Sequence, residues 1–142
     1  DTLTVLEQER WVAALPDEWA YQRLGGSTPP AIFDRYLLVQ SLAALGRFAE
    51  ATAYETEMLR LVERIHDAHP IGLAHQAASL LHTTKGDWAR AHPLIEHWIE
   101  VARAGNLVVR YRAVALSAYV LAQLGDPLML QIAHCPPPAK AS

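Results

Sequence analysis

Cysteine is almost missing: Cys135 is the only one in 142 residues. A lone thiol closes no internal disulfide, so the chain fits a reducing compartment and not the cross-linked secreted scaffolds. Basic clusters are missing too. The 12 Lys and Arg are scattered among 15 Asp and Glu, for a net charge of −3, which argues against nucleic acid and anionic membrane as partners. The longest apolar run, Ala113 to Leu124, is too short for a bilayer and is interrupted by Ser117 and Gln123. No secretory signal pattern opens the sequence, which starts at Asp1 without Met, and we expect a piece of a longer cytoplasmic protein. Alternation of period two is absent, which leaves no strands. H-E-x-x-H, C-x-x-C and a Gly-rich phosphate loop are also lacking, so neither a metal, a cofactor nor a catalytic centre is expected.

What is there is a repeat. Half of the residues are apolar (51%), enough for a real core. The stretch A-A-L-G-R-F-A-E-A from Ala43 to Ala51 returns about forty residues later as T-T-K-G-D-W-A-R-A, Thr83 to Ala91. A third, partial copy is A-Q-L-G-D at Ala122 to Asp126. The shared core is Gly46/Phe48/Ala51 and Gly86/Trp88/Ala91, with Gly125 marking the third unit. A fixed period in this range is the mark of stacked supersecondary units.

Local signals divide the units into helix pairs. Thr4 to Glu7 has capping-box spacing, with Val5, Val12 and Leu15 on one stripe up to Pro16, and Asp17 starts a short helix to Leu24. Gly25 and Gly26 end it, and Thr28 with Pro29 reads as N-cap and N1 of the next. Helices are then expected over Pro30–Leu45, Phe48–His66, Ile71–Lys85, Trp88–Ala104 and Leu107–Leu124. Turns fall at Gly46 and Gly86, a break at Asp67 to Pro70, and a mild bend at Pro93. The expected organisation is N-terminal helices over 1–26, repeats over 27–67, 68–105 and an incomplete 106–133, and a Pro-rich disordered tail over 134–142. The truncated third unit leaves an apolar end, for which Leu128, Leu130 and Ile132 are candidate self-association residues.

The pattern Gly, any residue, aromatic, two residues, Ala between two helices resembles the second half of the tetratricopeptide signature. Ser27 to Pro30, Leu42 to Ala51, His69-Pro70 with Leu73-Ala74, Gly86-Asp87 and Pro93 to Glu96 are, together, similar to one group. That group is the C-terminal repeat region of large bacterial proteins joining a class III nucleotide cyclase, an AAA-type ATPase and tetratricopeptide-like repeats. The likeness spans Gly25 to Asp126. It departs where tetratricopeptides carry Trp and Gly in the first helix, since Arg35 and Val39 stand there in one unit, His75 and Ser79 in the next. The resemblance implies an all-α, right-handed α-α superhelix and a non-catalytic signalling arm that binds a protein, its own upstream domains or a small effector.

In such a superhelix the inner face is the usual binding surface. Aligned on the three glycines, Phe33, Tyr36 and Gln40 fall there on the first unit, Gln76, Leu80 and Thr83 on the second, Arg112, Ala115 and Tyr119 on the third. Aromatics, amides and an arginine suit a peptide or a small polar ligand. His82 stands where a packing residue belongs and is expected buried and hydrogen-bonded. Trp11, Trp19, Trp88 and Trp98 are expected to pack between repeats, Trp88 against the helix before it. Glu50, Glu57, Arg60, Glu63 and Arg64 form a solvated outer face.

Overall fold

A computed structural model describes residues 2–15, 21, 28–107 and 110–125. Among them the chain forms six α-helices and no strand: α1 Thr2–Ala14, α2 Pro30–Ala44, α3 Phe48–Val62, α4 Ala68–Lys85, α5 Trp88–Ala104 and α6 Arg110–Gln123. The all-α expectation holds.

The two glycine turns are built alike. At Gly46 (φ +75°) and Gly86 (φ +76°) the backbone enters the left-handed region. Their N–H groups donate to Ala43 and Thr83, and those of Arg47 and Asp87 reach back to Leu42 and His82. These bonds satisfy carbonyls that a helix end would otherwise leave without partners. The next helix starts two residues after each glycine, so α3 folds back on α2 and α5 on α4. Asn106 (φ +50°), not Gly105, takes this conformation after α5. Gly105 is needed for another reason: a Cβ there would lie 2.4 Å from Cβ of Ala68.

Several expected boundaries move. α1 begins at Thr2, so Thr4 lies inside the helix and caps nothing. Pro29 and Pro30 take the N-cap and N1 places of α2, one step later than expected, and Thr28 instead sits 2.9 Å from Nδ1 of His69. Pro70 does not break the chain before α4; it stands in the first turn, where its missing N–H has no helical acceptor to lose. Asp67 is the true cap, accepting from the His69 N–H at 3.1 Å. α3 ends at Val62 instead of His66, and α6 starts at Arg110 instead of Leu107. Apart from Tyr21, the residues of the helix expected over Asp17 to Leu24, and Leu128, Leu130, Ile132 and Cys135, lie outside the described residues.

Packing follows the chain. α1 lies on α2, α2 on α3 and α4, α3 on α4, α4 on α5, and α5 on α6. One core joins Ile32, Leu38 and Leu42 to Met58 and Leu81, with Val5 from α1 and the partly buried Val12 and Leu15 at its edge. The other joins Ile95, Trp98 and Ile99 to Ala113 and Val120. Ala51 and Ala91 are fully buried, and their small side chains let α3 and α5 approach their neighbours closely. Trp98 is buried as expected, whereas Trp11 is 68% exposed and packs no repeat.

The glycines separate strain from space. Gly46→Ala adds a Cβ that meets nothing within 4 Å, so only the left-handed backbone is penalised, by about 1–2 kcal/mol. Gly105→Ala has an ordinary φ but drives α5 away from α4, an overpacking cost of about 1–3 kcal/mol. Urea unfolding of both variants checks this; a Gly105→Ala protein as stable as the parent would show that the close approach is not needed.

Candidate functional site

Four of the residues expected on an inner face come together. Leu80 of α4 and Arg112, Ala115 and Tyr119 of α6 line a shallow groove of about 370 Å³, with Trp98 of α5 and Leu116 completing it. The α6 residues recur at three- and four-residue steps, which puts them on one side of the helix. Tyr119 is held by Trp88, whose ring meets it edge-on at 5.7 Å and 82°. Trp88 therefore turns toward α6 and the core between α5 and α6. The groove has an apolar floor and a cationic rim: among the described residues Arg112 makes no ion pair, while Trp98 is 1% exposed with its indole N–H unpartnered.

The remaining expected residues sit elsewhere. Phe33 is exposed and stacks on Tyr36 with ring centres 6.0 Å apart, outside the groove lining. Tyr36 is half-buried against the first core, and Gln40 is half-buried as well. Gln76 is 3% exposed, so it is closed off from any partner; α4 has neighbours on more than one side, and the amide falls among them. The Thr83 hydroxyl donates to the Ser79 carbonyl at 2.7 Å, a bond within the helix. Sequence reasoning missed Trp98 as a groove residue. Its signal was available, because the forty-residue step that carries Gly46 to Gly86 carries the buried Met58 to Trp98.

The same step aligns two polar contacts. Between α2 and α3, Arg35 Nε donates to Glu57 Oε2 at 3.0 Å, and Arg35 also bonds the Ala31 carbonyl. Glu57 is thus a half-buried partner, not part of a freely solvated face. One unit on, the equivalent places hold His75 and His97, whose rings lie 4.4 Å apart and tilted by 55°. His75 Nδ1–H donates to the Ile71 carbonyl at 2.8 Å, which leaves Nε2 as a lone pair. Burial pushes the His75 imidazole below its ordinary value; the Ile71 carbonyl acts in the opposite sense and His97 adds to the lowering.

A third contact joins the units to each other. His82 is buried and hydrogen-bonded, as expected: its Nε2 lies 2.9 and 3.0 Å from the Glu55 carboxylate oxygens, with side chains 2% and 1% exposed. Nε2–H is the donor to that carboxylate. Arg90 Nε, 3.3 Å from the same nitrogen, cannot also donate to it, and contributes its positive charge instead. Nδ1 of His82 is buried without a partner; in this tautomer it is a lone pair, so no donor is stranded. Glu96 accepts from the Ser117 hydroxyl at 2.9 Å, while His97 faces His75. Among the described residues no three His, Cys, Asp or Glu are grouped to hold a metal.

His82→Leu alone leaves a buried carboxylate without its donor and is expected to cost about 3–5 kcal/mol. Adding Glu55→Ile, the residue that Ile95 supplies one unit later, is expected to recover most of that loss in urea unfolding; a double variant as unstable as the single would place the cost in packing instead. His75 predicts a pH effect. The unfolded chain takes up a proton near the ordinary histidine value and the folded chain resists it, so stability is level above that value and falls as pH drops below it. Melting temperature is expected to be lower at pH 5 than at pH 7.5. Replacing the pair by the first unit's own residues, His75→Arg with His97→Glu, is expected to shrink that difference; an unchanged difference would clear His75 of it.

No protein-family model matches the chain, and no curated protein or solved structure matches it.

Proposed function

We propose that the chain is a non-catalytic interaction module, a tetratricopeptide-like stack of helix pairs in a right-handed superhelix, serving a larger cytoplasmic bacterial regulator. The observation that carries this reading is the groove. Residues expected on the inner side of successive first helices, Leu80 with Arg112, Ala115 and Tyr119, line one hollow. An apolar floor with a guanidinium at its edge that makes no ion pair among the described residues suits an extended peptide. One apolar side chain enters the hollow, and an adjacent carboxylate, from Asp, Glu or a chain end, meets Arg112.

The test uses short peptides with Leu or Phe beside Asp or Glu, followed by tryptophan fluorescence, since Trp98 lines the groove and Trp88 adjoins it. Arg112→Ala is expected to weaken binding about tenfold or more, the worth of one hydrogen bond to a charged group. Phe33→Ala, outside the groove, is expected to leave it unchanged. Both variants should keep the parent circular dichroism. Absence of saturable binding, or an Arg112→Ala protein that binds like the parent, would remove the groove from the function.

A further inference from the structure

The connection from α3 to α4, Glu63 to Asp67, borders another hollow, of about 500 Å³, lined by Tyr21, Pro29, Arg64, Ile65, His66 and Asp67. That volume suits a small molecule. Its walls are tied together: Pro29 is the N-cap of α2, and the Thr28 hydroxyl just before it lies 2.9 Å from Nδ1 of His69 in the first turn of α4. Thr28 and Pro29 are both buried, so this wall is set before any ligand arrives. One unit on, the corresponding connection carries Ala104, Asn106 and Leu107 in place of Arg64, His66 and Asp67. There Leu107 packs against the second core and Gly105 closes on Ala68, so apolar contact fills that step.

The lining of the hollow combines apolar surface with hydrogen-bond donors. Pro29, Ile65 and the Tyr21 ring supply the first. Arg64 and His66 are exposed and, among the described residues, make no hydrogen bond or ion pair. A guanidinium only donates, and an imidazole keeps at least one N–H in either charge state. The Asp67 carboxylate is engaged at the start of α4, where it accepts from the His69 N–H. We infer that the hollow binds a small organic anion, an apolar body bearing one carboxylate or phosphate, with Arg64 and His66 on the anionic head. Ionised oxygens match two donors that have no acceptor of their own, and a guanidinium takes either head group through paired N–H groups. A bare ion would leave Pro29 and Ile65 in water, and a neutral body would leave the guanidinium unmatched. The site shares no lining residue with the groove at Arg112, and its ligand is not the peptide proposed there.

Phenyl phosphate and benzoate are titrated into the full chain by calorimetry, with inorganic phosphate and benzyl alcohol alongside. Saturable one-to-one binding of at least one aromatic anion is expected, and whichever binds identifies the head group. Inorganic phosphate and benzyl alcohol are each expected to bind about tenfold more weakly or worse, the first for want of apolar burial and the second for want of a charged acceptor. Arg64→Gln is expected to weaken binding of the anion about tenfold or more. Arg60→Gln, an exposed cation of α3 outside the lining, and Arg112→Ala are expected to match the parent. Absence of saturation by either anion would overturn the inference, as would an Arg64→Gln protein that binds like the parent. An equal loss in Arg60→Gln, or inorganic phosphate binding as tightly as phenyl phosphate, would reduce the effect to surface charge and overturn it too. Loss of binding in Arg112→Ala would place the anion in the groove instead.

Discussion

A left-handed residue after a helix is the constraint on which the arrangement rests. An L-residue with a Cβ avoids that conformation and glycine does not. Gly46 and Gly86 adopt it and so turn α2 into α3 and α4 into α5 within a few residues. Once the chain reverses that sharply, the paired helices lie side by side, and the first fully buried residue beyond the turn must be small. Ala51 and Ala91 meet that demand. The reversals also leave α2 free to touch α4, while α6 packs on α5, and the groove is lined by residues of α4, α5 and α6.

The units share a backbone plan but not a chemistry. The slot between paired helices holds a guanidinium and a carboxylate in one unit and two imidazoles in the next. The first is a charge attraction that weakens with salt. The second is neutral packing whose quality depends on protons. At a neighbouring level, Glu55 and His82 bring a polar contact into a junction that its counterparts build from apolar residues such as Ile95. Polar groups buried in this way add little net stability; they raise the penalty for any arrangement that separates them.

Much of the helix order was legible in the sequence because glycine, proline and apolar spacing act locally. Trp88 to Ala104 is placed to the residue, since Asp87 caps its start and Asn106 closes its end. Pro70 misled because a proline reads the same in a broken chain and in a first turn. For the groove, periodicity put Arg112, Ala115 and Tyr119 on one side of α6, and the repeat aligned Leu80 with them. It did not tell which side of α4 would be free. Gln76 lies one turn before Leu80 yet is buried, because neighbours on both sides of α4, not its own sequence, decide what stays open. His82 was recognisable as buried, but its partner Glu55 was not: a lone acidic residue in a helix usually faces water, and only the long-range packing of α3 on α4 removes it.

The Glu55–His82 contact also gives the stack a reading direction. Each unit offers one surface to the unit before it and another to the unit after it, and in a uniform solenoid these surfaces match in any order. Here they do not. Glu55 on the first unit finds its donor only on the second, and with the units exchanged its carboxylate would face the apolar register of Leu121. The pair acts as a key between successive modules, so the helix pairs cannot be shuffled like interchangeable parts.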